Sequence, residues 1–397
     1  MSRGQASVAL LGSAAFMVTA DVRVVNPLLH IIANDFNTDV GTAGLIVTAY
    51  AIPYGFFQLV YGPLADRIGK LRVITWTLAV FAVGTALCAL SPSLLILALL
   101  RFLTGAAAAA TISMSLAYIG DTFPYEERQV AIGGFLTAVA LGNILSTSLG
   151  GIVSDFLNWH YIFLLYGLAT GVILWRLWLT SRLSPVPEQK PKVENLSAYL
   201  KPYFELLKNP APRLVIIGVF IEGFFFFGGF SFLGAFLRDR YNLAYILIGF
   251  MLSGFGLGSL VYSRSVRWLV KKLGENGLIV LGGSLTFICY LLISLVESWP
   301  LFIPVNMLLG LGYYMFHSTL QTKATELAPG ARGTAVSLFA FSLFIGQGIG
   351  IALLGLVVDG PGYVLAFIIA GVGMVLLAGW FVYKSVGYER GGLIKKS

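Results

Sequence analysis

The chain has 397 residues, of which 57% are hydrophobic and only 11% charged, whereas an ordinary soluble domain carries roughly 25% charged residues. A water-soluble fold of that composition could not cover its own surface, so the main solvent is the lipid bilayer. Apolar runs of about twenty residues recur from end to end and make the expected fold all-α. The net charge of +8 would point to a nucleic-acid partner only if Lys and Arg clustered on one face of a polar domain; here they fall between apolar runs, and no nucleic acid is implied.

Met1-Ser2-Arg3 leads directly into an apolar stretch that is too long for a signal-peptide core and has no small-residue cleavage site, so it is expected to stay as the first membrane helix. Apolar runs then place spans over residues 6–32, 42–64, 73–90, 94–119, 130–156 and 160–180, followed by 213–237, 244–262, 277–296, 301–321, 334–358 and 363–383. Each can cross a hydrocarbon core of roughly 30 Å at about 1.5 Å per residue. The polar, proline-bearing stretch 181–212, with Lys190, Lys192, Lys201 and Lys208, cannot stay in lipid and reads as a linker between two bundles, 1–180 and 213–397. Cys88 and Cys289 fall in different spans without metal or redox spacing, and read as small core residues.

An even number of spans puts both termini on one side. Of 26 Lys and Arg, Arg23 and Arg101 lie inside spans and Arg238 and Arg240 lie opposite the termini, while the other 22 sit at or near the terminus side. The positive-inside rule makes that side cytoplasmic.

Sliding the sequence against itself by 204 residues superposes Ala131 on Ala335, Phe135 on Phe339, Gly142 on Gly346, Gly151 on Gly355, Asp155 on Asp359, Phe163 on Phe367 and Gly167 on Gly371; with a one-residue slip, Gly105 meets Gly310 and Pro124 meets Pro329. Coincident Gly, Asp and Pro positions flanking corresponding spans indicate a duplicated six-helix unit, with a substrate site expected where the repeats meet near the midplane.

After the second span the chain reads Gly62-Pro63-Leu64-Ala65-Asp66-Arg67-Ile68-Gly69-Lys70-Leu71-Arg72. The glycines permit a tight turn, Asp66 can meet a cation or a helix N-terminus, and the basic residues anchor the loop at anionic headgroups. The segment resembles the helix 2–3 loop signature of the major facilitator superfamily and, within it, of the twelve-helix drug:proton antiporter group. The equivalent loop of the second half, from Arg264 through Arg267, Lys271, Lys272 and Gly274, keeps the charge and loses the acid. The resemblance implies two pseudo-symmetric six-helix bundles around a central cavity opened alternately to each side. Gly62, Asp66, Arg67, Gly69 and Lys70 would then be the conformational-switch loop.

In the fourth span, Leu100-Arg101-Phe102-Leu103-Thr104-Gly105 and five alanines look like the superfamily's helix 4 motif with its intramembrane arginine. Such a charge is costly in lipid unless paired or wetted. Asp21 lies about 15 residues into the rising first span, roughly 22 Å up, and Arg101 about 7 residues into the descending fourth, roughly 10 Å down. Both thus fall in the outer half of a core of about 30 Å, and Arg23 shares the level of Asp21. In the fifth span Gly133, Gly142, Gly150 and Gly151 match the spacing of the antiporter group's motif, with Gly142, Gly150 and Gly151 as helix-packing glycines; Ser146-Thr147 stands where that motif carries Gly-Pro.

Glu222 in the seventh span precedes Phe224-Phe225-Phe226-Phe227, apolar company in which an ionised carboxylate is costly, making it a candidate proton carrier. Four successive phenylalanines cover every face of a helix, so at least one, taken here as Phe226, should point inward. Asn306, Tyr314 and His317 in the tenth span, with Gln58, Asn143, Gln347 and Arg23, supply polar and aromatic groups for a cavity that superfamily members line with helices 1, 4, 7 and 10.

The expected function is secondary active transport: proton-coupled antiport exporting a small amphipathic or lipophilic compound, with Asp21, Arg101 and Glu222 as coupling groups. Proton symport or facilitated uptake of a metabolite is the alternative, kept open by Ser146-Thr147. A non-transporting receptor would normally carry a larger soluble module. No catalytic triad, zinc spacing or nucleotide-binding loop is present in the sequence, so no enzyme activity, metal or cofactor is expected. The partners expected are a small-molecule substrate, protons and the lipid bilayer of the inner (plasma) membrane, and the chain is expected to act as a monomer because the cavity forms within one chain.

Overall fold

A computed structural model describes residues 6–183, 196–326 and 332–390; Met1-Ser2-Arg3, Lys190, Lys192 and Pro329 lie outside them. Among the described residues, eleven helices are long and apolar enough to cross a membrane: α1 (Val8–Asp35), α2 (Val40–Gln58), α3 (Lys70–Cys88), α4 (Leu94–Thr122), α5 (Glu126–Phe156), α6 (Trp159–Arg182), α7 (Pro210–Tyr241), α8 (Tyr245–Leu295), α9 (Trp299–Glu326), α10 (Gly333–Asp359) and α11 (Tyr363–Tyr388). Helix is what lipid demands, because it satisfies every backbone group within the segment. Local chemistry sets the starts: the Ser7 hydroxyl accepts from the Leu10 N–H and the Ser93 hydroxyl from the Ile96 N–H, and Asn209 caps a helix whose first residue is Pro210, where a missing N–H costs nothing.

With 51 residues, α8 would be about 76 Å long if straight, far beyond a single crossing. Gly274 breaks it, at φ 65 and ψ 176, a left-handed conformation that glycine adopts without a Cβ penalty. The break falls between the eighth and ninth predicted spans, so the eleven long helices of the described residues hold twelve apolar segments, as the sequence predicts. A second departure is local. The predicted span 42–64 stops at Gln58, and Tyr61–Ile68 is a separate short helix. Its Tyr61 and Ala65 are buried while Leu64, Asp66 and Arg67 are exposed, an amphipathic pattern that suits the bilayer surface better than its core.

The described residues pack into two units. One holds residues 6–38, 45–183 and 243–250, the other 39–44, 196–242, 251–326 and 332–390. Each therefore includes a short segment from the other sequence repeat. In the first unit α1 packs on α5, α2 on α4, and α3 on α4 and α6; in the second, α7 packs on α10 and α11, and α9 on α10.

The duplication read from sequence extends to atomic packing. A Cβ on Gly105 would lie 2.3 Å from the Tyr50 carbonyl oxygen, and one on Gly310 would lie 2.1 Å from that of Phe255. A Cβ on Gly142 would meet the Phe16 oxygen at 2.8 Å, and one on Gly346 the Phe220 oxygen at 2.0 Å. In each case both partners shift by the same sequence offset. Glycine is required at such points because two helix backbones approach within the space a methyl group would occupy.

Candidate functional site

Each unit buries one carboxylate against one nitrogen base, and in both the two groups come from the first and fourth helices of the repeat. In the first unit Asp21 (α1) and Arg101 (α4) are 0% and 1% exposed, with Arg101 Nη1 donating to Asp21 Oδ2 at 2.5 Å. Arg101 Nη2 also donates to the Asp21 carbonyl at 3.3 Å. The guanidinium lies 4.3 Å over the Tyr50 ring and 5.6 Å from the Phe163 ring centre, so its faces are covered by aromatic carbon. Among the described residues Asp21 Oδ1 and Arg101 Nε have no hydrogen-bond partner. Arg23 is at the same level but is directed elsewhere, its Nε donating to Asn143 Oδ1 on α5 at 3.1 Å. Residues i and i+2 of a helix point to different sides.

In the second unit Glu222 (α7) is fully buried, and His317 Nδ1 (α9) lies 3.1 Å from Glu222 Oε1 and 3.3 Å from Oε2. Immediately after Glu222 the helix widens into a π-turn over Gly223–Phe227, an irregularity that recurs at functional sites. The widening re-aims the phenylalanine run: Phe226 is fully buried, 4.3 Å from the Tyr313 ring and 5.8 Å from Phe255. His317 stacks on Tyr313 at 5.0 Å, and Tyr314 contacts Phe255 at 5.8 Å. Phe226, Tyr314 and His317 therefore belong to one aromatic cluster. Gln58, Asn306 and Gln347 are buried, and neither amide atom of Asn306 has a partner among the described residues.

Sequence reasoning placed Asp21 and Arg101 at one depth. It did not pair Glu222 with His317, which are 95 residues apart. In the signature segment, Gly69 takes φ 93 and ψ 138 and turns the chain into α3, a conformation reserved for glycine. Lys70 pairs with Asp121 at the end of α4. Of the glycines singled out in α5, Gly150 fits against Val24 and Gly151 against the Tyr245 carbonyl, whereas Gly133 has nothing within 4 Å of a Cβ.

Two further carboxylates act as a matched pair that sequence reasoning used only to find the repeat. Asp155 accepts from the N–H groups of Tyr245 at 3.0 Å and Ile246 at 2.7 Å. Asp359 accepts from those of Gly41 at 2.5 Å and Thr42 at 2.9 Å. The donors are related by the same 204-residue shift as the acceptors. Each carboxylate thus neutralises the otherwise unpaired first N–H groups of α8 or α2 and complements the positive end of that helix. The signal was an acid recurring at equivalent helix ends; only its target was hidden.

Residues 11–342 match the Major Facilitator Superfamily. The chain belongs to that superfamily. Among its relatives, the MFS-type transporter YceJ of Bacillus subtilis (strain 168) is 27% identical over 353 residues, covering 87% of each chain. The multidrug export protein EmrB of Haemophilus influenzae is 28% identical over 182 residues, 45% of this chain and 36% of EmrB. In fold, a variant of the nucleoside transporter NupG superposes with a TM-score of 0.79 at 15% identity, over 95% of this chain and 99% of that one. This superfamily member is accordingly an integral membrane transporter of small molecules.

Proposed function

We propose that the transporter is a proton-coupled antiporter that exports a small amphipathic or lipophilic compound across the inner membrane, with both termini cytoplasmic. The reading rests on one observation above the rest: two buried carboxylates, Asp21 and Glu222, each set against a single nitrogen base. A buried carboxylate is stable either as an ion paired with a cation or as a neutral acid, so proton uptake and loss of its partner interaction are linked. If substrate displaces the proton, the two fluxes are coupled without ATP. The aromatic cluster around Phe226 and Tyr313 supports an apolar or amphipathic substrate rather than a sugar. The similarity to EmrB supports export. Ser146-Thr147, in place of Gly-Pro in α5, favours the second reading, proton symport of a metabolite.

Proton movement in reconstituted vesicles separates the two. Addition of lipophilic cations or neutral amphiphiles to one side of vesicles holding an opposing pH gradient should release protons in the counter-direction. Proton movement in the same direction as substrate, or responses confined to sugars or organic acids, would replace antiport with symport.

Asp66 is proposed to act in conformational cycling. It lies on the exposed face of the short helix Tyr61–Ile68, which carries neither buried pair. Asp66→Asn is expected to lower the transport rate more than tenfold while equilibrium substrate binding stays within about threefold. Comparing initial rates with binding isotherms tests this, and a loss confined to binding would contradict it.

A further inference from the structure

The ends of α3 and α6 enclose a groove of about 710 Å³ whose lining includes Arg72, Trp76, Gly171, Trp175, Trp178 and Arg182. We propose that this groove binds one anionic diacyl glycerophospholipid, its phosphate between Arg72 and Arg182 and an acyl chain lying along the tryptophans.

The groove combines three features that a bare lipid-facing surface lacks. First, its charge is of one sign: the lining holds two arginines and no acidic residue, and neither arginine forms an ion pair among the described residues. Second, both cations sit at one level. Arg72 lies two residues into α3 and Arg182 ends α6, so they share the end of the unit that the charge pattern makes cytoplasmic, where leaflet lipids are anionic. Third, the wall below them is built from large aromatics held in defined positions. Trp175 and Trp178 stack at 5.9 Å, and the Arg182 guanidinium lies 3.7 Å over the Trp178 ring. That contact fixes one face of the guanidinium and leaves its N–H edge for a phosphate oxygen.

Trp76 and Trp175 are 70% and 62% exposed, although a tryptophan usually buries most of its large apolar surface. Gly171, with nothing within 4 Å of a Cβ, keeps the floor of the groove low enough for an acyl chain. A zwitterionic lipid would bring a choline or ethanolamine cation next to two arginines. A free phosphate would leave the aromatic wall uncovered. The geometry therefore favours a lipid with a net negative headgroup over either.

The test uses the full-length protein in detergent micelles, with native mass spectrometry against phosphatidylglycerol and phosphatidylcholine of identical acyl chains. One phosphatidylglycerol should be retained in preference to phosphatidylcholine by about twenty-fivefold, on the basis of roughly fivefold for each of the two basic residues near an anionic headgroup. Arg72→Gln with Arg182→Gln should reduce the preference to near unity. Should that variant fail to fold, the charge-retaining Arg72→Lys with Arg182→Lys and bromolipid quenching of the wild-type tryptophan fluorescence carry the test. There, brominated phosphatidylglycerol should quench at lower mole fraction than brominated phosphatidylcholine. Equal retention and equal quenching by the two lipids would overturn the proposal, as would a preference that survives loss of both arginines. Displacement of phosphatidylglycerol by glycerol phosphate at equal concentration would also overturn it, since it would mark a phosphate site rather than a lipid site.

Discussion

Asp21→Asn is expected to abolish transport driven by a proton gradient while permitting substrate exchange that needs no net proton movement. An amide cannot titrate, so the variant can complete only those steps in which the side chain keeps one state. The change also strips Arg101 of its carboxylate in a site where both groups are essentially inaccessible. Breaking such a pair from one side costs about 3–5 kcal/mol, so the variant should express less and unfold at lower temperature. Arg101→Ala should stop transport as well, for the opposite electrostatic reason: it leaves Asp21 without its hydrogen-bonded cation. The double variant Asp21→Asn with Arg101→Gln removes both charges together and is expected to recover expression and thermal stability relative to either single change, without recovering proton coupling. Proteoliposomes with an imposed pH gradient, paired with thermal unfolding in detergent, read the two effects separately. Near-normal uphill transport by Asp21→Asn would transfer the coupling role to Glu222. Glu222→Gln should then be the variant that uncouples, with His317 left facing a neutral amide.

The second large effect is expected at Asp155 and Asp359. Each holds two backbone N–H groups at a helix start, on a segment that packs in the unit opposite to its own repeat. Hydrogen bonds to an ionised group contribute about 1.5–3 kcal/mol each, and the solvent exposure of the carboxylates reduces each of the two bonds in a clamp to about half the lower figure. One clamp is therefore worth about 1.5 kcal/mol, or roughly tenfold in an equilibrium. A cysteine in place of buried Ala43 should be alkylated about tenfold faster when Asp359 is changed to Ala. Asp155→Ala should do the same for a cysteine in place of Ile248, which is fully buried. If the two clamps hold one conformation of the transport cycle, the double variant should accelerate both reactions by about a hundredfold, the product expected of independent sites. Gly41→Ala should act like Asp359→Ala by a steric route, because its Cβ would fall 2.0 Å from the Gly355 carbonyl oxygen. Unchanged alkylation in all of these would show that the clamps do not limit opening.

The sequence by itself determined the membrane environment, the crossings, the duplication and the superfamily signature, because each is written in short-range pattern. Apolar run length follows from bilayer thickness, and Gly, Asp and Pro recur at one offset wherever the repeat needs a close approach or a helix end. It also put Asp21 and Arg101 at one depth, since rise per residue converts position into height. It did not determine azimuth: Arg23 shares the level of Asp21 in the sequence, and only the structure shows its Nε donating to Asn143. Only tertiary structure decided that His317 faces Glu222, that the helix loosens into a π-turn beside that carboxylate, and that Asp155 and Asp359 reach across the repeats to cap α8 and α2. These depend on which helices are neighbours and how each is rotated about its axis. In a chain this uniformly apolar, hydrophobic periodicity carries little of that information: lipid-facing and core-facing positions are both apolar, so rotation is set by where glycines let backbones touch.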